Sequence, residues 1–142
     1  MKRLIGFLSV ATLAVVLAAP LAAQSFRVTA SVPFEFMVAG RSMPAGDYTV
    51  QRMGSSGTGA VQVSSDNASV VSLARNGSAS RKEQIGQALL IFHRYGDRYF
   101  LSRIVDGYRD TGVEIPTTRT EKELSKTASL EKFETVGVLA RR

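Results

Sequence analysis

From Ala88 to Val105 the chain reads ALLIFHRYGDRYFLSRIV, two aromatic and branched runs that meet at Gly96-Asp97. Such side chains suit a pleated, largely buried surface, and a two-residue break between them specifies a β-hairpin. Glycine at the first central position takes φ > 0 without a Cβ clash, so the spacing predicts a type II′ turn. Pairing across it sets Tyr95 opposite Arg98, His93 opposite Phe100 and Ile91 opposite Ser102. Leu89, Ile91, His93, Tyr95, Arg98, Phe100 and Ile104 then share one face. Leu90, Phe92, Arg94, Tyr99, Leu101, Arg103 and Val105 share the other. Both faces are apolar near the base and polar near the tip. That predicts a strand pair buried on two sides at its base, with its tip in water. The pattern leaves open which face meets the main core.

The N-terminus limits where such a domain works. Met1-Lys2-Arg3 is basic, Leu4 to Ala19 is apolar, Pro20 breaks the run, and Leu21-Ala22-Ala23 precede Gln24. This is the pattern of a secretory signal peptide over residues 1–23, with cleavage expected after Ala23. The apolar run is shorter than the ~20 residues of a spanning helix. Residues 24–142 are expected to form a single exported domain, periplasmic or extracellular, with no membrane span once the signal is gone. The chain has no Cys. Disulfides, thiolate metal sites, a Cys nucleophile and a lipidated Cys are thereby excluded, and packing alone must hold the fold. A domain of about 120 residues can bury an adequate core without staples. Apart from Lys2 and Arg3 the sequence carries 16 Lys and Arg against 12 Asp and Glu, a net charge of +4. No run of five or six like charges exists, so ordinary solubility accounts for the excess and no nucleic-acid partner is expected.

After the signal, Ser25 to Val32 alternates cleanly, with Phe26, Val28, Ala30 and Val32 on one side, the mark of a half-buried strand. Pro33 interrupts the ladder. Phe34 to Val38 is expected to continue as a strand. Gly40 to Gly46 carries turn chemistry, and Asp47 to Met53 is the next strand, with Tyr48, Val50 and Arg52 on one face. Gly54 to Gly59 reads as a loop; a strand comes after it, whereas a phosphate cradle needs a helix N-terminus there. Ala60 to Ser64 and Ala68 to Ala74 form a second hairpin. Arg75 to Gln84 (RNGSASRKEQ) is polar and aperiodic, and is expected to be the longest loop and a candidate binding segment. Val113 to Ile115 is a short strand ended by Pro116. Thr118 and Glu121 match a capping box that opens a helix from about Arg119 to Ser129. Leu124 and Ala128 form its narrow apolar stripe, with Glu121, Lys122, Glu123 and Lys126 expected in water, so the helix should lie as a lid on the sheet. Phe133 to Ala140 returns to a strand.

No catalytic constellation stands out. His93 is the only histidine. A His-based metal site would need carboxylate partners, since there is no second His and no Cys, a Ser-His-Asp triad lacks its G-x-S-x-G elbow, and a cross-strand contact with Phe100 accounts for His93. Asp106 and Asp110 flank a Gly-containing loop whose spacing falls short of a calcium loop, and turn capping explains both. An outer-membrane barrel would need lipid-facing strands of about ten residues throughout, which these short strands and long polar loops do not provide. The best functional candidate is the hairpin tip, where Arg94, Tyr95, Arg98 and Tyr99 cluster. Arginine and tyrosine dominate interface hot spots, and the competing reading is intramolecular cation–π and salt-bridge contacts.

The segments VPFEFMVAGRSMPAGDYTV (Val32 to Val50) and IFHRYGDRYFLSRI (Ile91 to Ile104) resemble a family of small exported bacterial proteins of unknown function. Its hallmarks are VPF-x-F-x-V-x-G leading into PAG-x-Y-x-V, then a YGD-x-YFL hairpin and a short charged helix. The resemblance spans Ser25 to Ala140. It implies structural motifs and brings no activity, catalytic residue, cofactor or metal. The fold expected is mainly β, an antiparallel β-sandwich or partly closed β-barrel of about seven to nine strands with one short C-terminal helix. The function expected is a non-enzymatic envelope or extracellular binding or structural module, with an envelope protein or polysaccharide as partner. The alternatives are a carrier holding a small apolar ligand between sheet and helix and, behind it, a hydrolase.

Overall fold

The computed structural model describes residues 26–54, 58–79, 86–107, 111–128 and 134–141. The expected signal peptide lies outside them. Within them the chain forms β1 (Arg27–Val32), β2 (Phe36–Val38), β3 (Arg41–Met43), β4 (Gly46–Met53), β5 (Thr58–Ser64) and β6 (Ser69–Ser78). Then come β7 (Ala88–Tyr95), β8 (Arg98–Val105), β9 (Thr111–Glu114), the helix α1 (Arg119–Ala128) and β10 (Glu134–Arg141).

Eight of these strands close into an antiparallel barrel in the order β8-β7-β10-β1-β4-β5-β6-β9, with β9 pairing back onto β8. Closure removes the edges that an open sheet would expose. The period-two pattern decides which side chains fill the barrel. Val28, Ala30 and Val32 of β1 point inward, as do Tyr48 and Val50 of β4, Val61 and Val63 of β5, and Leu90 and Phe92 of β7. The outward positions of the same strands are Arg27, Thr29 and Ser31, then Thr49 and Gln51, then Gln62 and Ser64. An apolar packed interior under a polar exterior is the reverse of a membrane-spanning barrel, whose lipid face is apolar and whose lumen is polar.

The chain leaves β1 to run parallel to β8 as β2, turns back as β3, and returns beside β1 as β4. This excursion carries two phenylalanines over one end of the barrel. Phe34 meets Phe92 edge-on at 5.1 Å between ring centroids, and Phe36 meets Phe92 at 5.3 Å and Tyr48 at 5.0 Å. The Tyr48 hydroxyl donates to the Pro44 carbonyl at 2.6 Å, which fastens the returning segment. The expected strand from Phe34 is therefore shorter, because Phe34 belongs to the crossing. The expected turn over Gly40 to Gly46 also contains a strand, β3, tied to β2 through a two-residue turn at Ala39 and Gly40. Both turn residues have positive φ, 50° and 78°.

The central hairpin forms with Tyr95 opposite Arg98 and His93 opposite Phe100, and Gly96 takes φ 61°. Its register then slips. Phe92 lies opposite Leu101, but Ile91 lies opposite Arg103, not Ser102. A bulge of this kind bends a strand and re-aims the side chains beyond it. Here the Ser102 carbonyl is freed to accept the Ile115 N–H at 2.8 Å, which holds the chain just after β9. The slip also moves Ile104 inward, opposite Leu90, and leaves Val105 outside with Ile91, Leu89 and Ala79 in a small second cluster. The face carrying Leu90, Phe92 and Leu101 is the one that meets the main core.

The expected loop from Arg75 to Gln84 is corrected over its first four residues. Arg75 to Ser78 extend β6 and pair with β9, from Arg75 opposite Glu114 to Ser78 opposite Thr111. A ladder needs only backbone groups, so a polar, aperiodic sequence on the barrel rim can pair as well as an alternating one. Residues 80–85 lie outside the described residues.

Candidate functional site

The hairpin tip splits its four candidate residues between two surfaces. Arg94 and Tyr99 are cross-strand partners on the side continuous with the barrel interior. The Arg94 guanidinium lies over the Tyr99 ring, 5.4 Å from its centroid, and Arg94 Nε donates to the Gly96 carbonyl at 2.8 Å. Phe34 also stacks nearly parallel on Tyr99, with 3.9 Å between ring centroids. A guanidinium and a phenyl ring thus both meet the Tyr99 phenol, and the phenyl ring comes from the crossing segment. Tyr95 and Arg98 occupy the outer surface. Arg98 is exposed, whereas Tyr95 leans against Phe100 at 5.7 Å and His93 at 6.3 Å, edge-on to both.

The outer surface is completed by α1. Its start follows the expected cap in part: the Glu121 N–H donates to Thr118 Oγ1 at 3.2 Å. The Glu121 side chain, expected in water, is instead buried at 4 % exposure, with Oε1 2.9 Å from His93 Nδ1. A carboxylate only accepts, so the imidazole donates from Nδ1. Turning inward suits the carboxylate because β7 offers it a donor there, and a charge-assisted bond in a sheltered site outweighs what water returns. Burial raises the Tyr95 phenol above its ordinary value of 10.0, and the charge and hydrogen bond of Glu121 raise it further. Glu121, His93 and Tyr95 thus form a polar clamp that seats α1 on β7.

The cross-strand contact with Phe100 is only part of the setting of His93; the clamp with Glu121 is the part the sequence does not announce directly. A signal existed: Glu121, Leu124 and Ala128 are spaced i, i+3 and i+7, so the acid lies on the helix's own apolar stripe. Leu124 and Ala128 are half-buried.

Asp106 is buried, and Asp110 lies outside the described residues. Among the described residues no three His, Asp or Glu gather as a metal site would require. The seam between α1 and the sheet, bounded by Val38, Phe100, Leu101, Ile115 and Glu121, has no space for a water molecule. An open bay of about 1070 Å3 lies where β10, β1 and β4 adjoin, lined by Ser31, Asp47, Thr49, Asp66, Leu139 and Arg141 among others. It sits where β1 and β10 share only two partner positions, Thr29 with Arg141 and Ala30 with Ala140.

Fold and site together define a closed, small β-barrel with an aromatic-plugged end, carrying a braced hairpin beside a single described helix. Compared with family models, curated proteins and solved structures, the chain matches none of them.

Proposed function

We propose that the protein is an exported, non-enzymatic module that contacts an envelope protein or polysaccharide through the tip of the β7–β8 hairpin. One observation carries this reading. The tip is held from two directions by elements outside the hairpin, through the Phe34 stack on Tyr99 and the Glu121 clamp on His93. Side chains fixed before binding lose little entropy on binding, and tyrosine and arginine combine area with directed hydrogen bonds. The polar exterior of the barrel supports a domain that works in water, and the resemblance to exported proteins supports the location. The seam under α1 weighs against a carrier with an apolar ligand between sheet and helix, since nothing of that size fits.

The test is capture from a cell-envelope extract of the source organism. The wild-type protein is compared with a variant carrying Arg94→Ala, Arg98→Ala and Tyr99→Phe. Phenylalanine keeps the stack on Phe34, so the fold survives and a matching melting curve verifies it. The proposal expects a discrete protein or glycan retained by wild type and lost with the variant. Equal retention by both proteins would sink it.

A further inference from the structure

Closure of the barrel does not extend along the whole of β10. On one edge β10 pairs with β7 from Glu134 to Ala140, but on the other it meets β1 only at Arg141 with Thr29 and at Ala140 with Ala30. Among the described residues no strand meets that second edge from Glu134 to Leu139. Burial along one face of β10 shows the consequence. Ala140, Val138 and Val136 point inward, opposite Ala88, Leu90 and Phe92, which are all buried. Ala140 lies where β1 still pairs and is 7 % exposed, whereas Val138 and Val136, past the last pair, are only half-buried. The wall is thus incomplete beside them, on the side where pairing with β1 has ended.

Two other free edges lack this feature. Among the described residues β6 has no partner on the side away from β5 between Ser69 and Ala74, yet its inward Val70, Ser72 and Ala74 are buried, so that wall is already covered. β3, at the end of the sheet, is three residues long, carries the exposed Arg41 and runs into Pro44. Short length, charge and proline are the usual guards of an edge. Thr135 to Leu139 (TVGVL) has no charge and no proline.

A bare strand edge selects its own occupant. It presents backbone N–H and C=O groups in alternation, and an extended polypeptide returns acceptors and donors at the same repeat. A glycan or a lipid has no such repeat. Ser31 and Leu139, the first residues beyond the last β1–β10 pair, both line the open bay of about 1070 Å3, so open space adjoins the edge. β1 runs on to Val32 at the far side of the opening without pairing to β10. A single chain fits between the two strands, whereas the edge strand of a second barrel is tied into its own wall. We propose that the free edge of β10, from Glu134 to Leu139, takes up one extended segment of a partner protein as an added strand. Its apolar side chains, at alternate positions, face Val136 and Val138 and complete their burial. Main-chain bonds give such a complex its affinity, and alternate side chains its specificity.

The inference does not rest on the tip contact. The test is selection from a phage-displayed library of random twelve-residue peptides on the protein purified from expressing cells, followed by backbone amide exchange with the selected peptide made synthetically. Selected sequences are expected to alternate apolar with polar residues and to lack a central proline. The bound peptide should slow exchange at least about tenfold at those amides of residues 134–139 that do not face β7, and leave β4 to β6 unchanged. N-methylating alternate amides of the peptide removes ladder bonds while the protein itself stays untouched. Methylation of one of the two alternate sets is expected to weaken binding at least about tenfold. The variant with Arg94→Ala, Arg98→Ala and Tyr99→Phe should bind the peptide as wild type does, so this inference and the tip contact fail separately. Failure to select any peptide overturns the inference. So does protection confined to other strands, undiminished binding by both methylated peptides, or a wild type that sediments as a dimer with the β10 edge already protected.

Discussion

Two tyrosines show how burial turns a side chain into a pH sensor for the fold. Tyr95 is raised above 10.0 by burial first and by Glu121 second. Tyr48 is raised by burial, against a smaller lowering from the Ser65 hydroxyl. In both, the neutral phenol is the form the folded state prefers. The stability this gives is fully present below the unfolded value near 10 and is lost as pH rises through the higher folded value. Thermal melts between neutral and strongly alkaline pH should therefore fall off above pH ~10. Tyr95→Phe should flatten that fall, because its ring keeps the Phe100 contact while the titrating hydroxyl is gone. A Tyr95→Phe protein whose melting temperature declines as steeply as wild type would contradict the assignment.

Among the elements, the β2–β3 hairpin carries local strain. Ala39 is the one non-glycine residue with positive φ among the described residues, at 50°. Its Cβ crowds the following carbonyl in that region, a cost of roughly 1–2 kcal/mol. Ala39→Gly should stabilise the protein by about 0.5–1 kcal/mol in urea unfolding, the relief of strain being partly offset by the looser unfolded chain. A destabilised variant would show that the Ala39 methyl contributes packing that its exposed position conceals. This hairpin was also the least legible element in the sequence. Its residues Arg41 to Met43 sit between glycine and proline, and three residues are too few to display a period. By contrast β1, β4 and β5 could be read because one buried and one wet side impose alternation over six to eight residues. The bulge at Ser102 could not be read. It answers to Ile115, which pairs there only once the barrel closes.

At the level of the whole molecule, sequence alone reached a β-rich domain with one short helix and left sandwich and barrel undecided. The choice lies in β9, four residues whose pairing with both β6 and β8 closes the wall. No local pattern encodes that double pairing. The same limit held at the candidate site. Arg94, Tyr95, Arg98 and Tyr99 were legible as a cluster, because a two-residue turn forces its flanks together. Their supports were not, since Phe34 and Glu121 arrive from chain positions far on either side. Those supports make the tip a surface held ready for contact, and this is the central claim. It is tested most directly by backbone NMR order parameters for Arg94 to Tyr99 in the free protein. Values near those of rigid backbone, about 0.85, are expected, with a marked drop in Glu121→Ala, which removes the clamp. Values below about 0.6 in the wild type would contradict it, because a tip that mobile is not held by the contacts on either side of it.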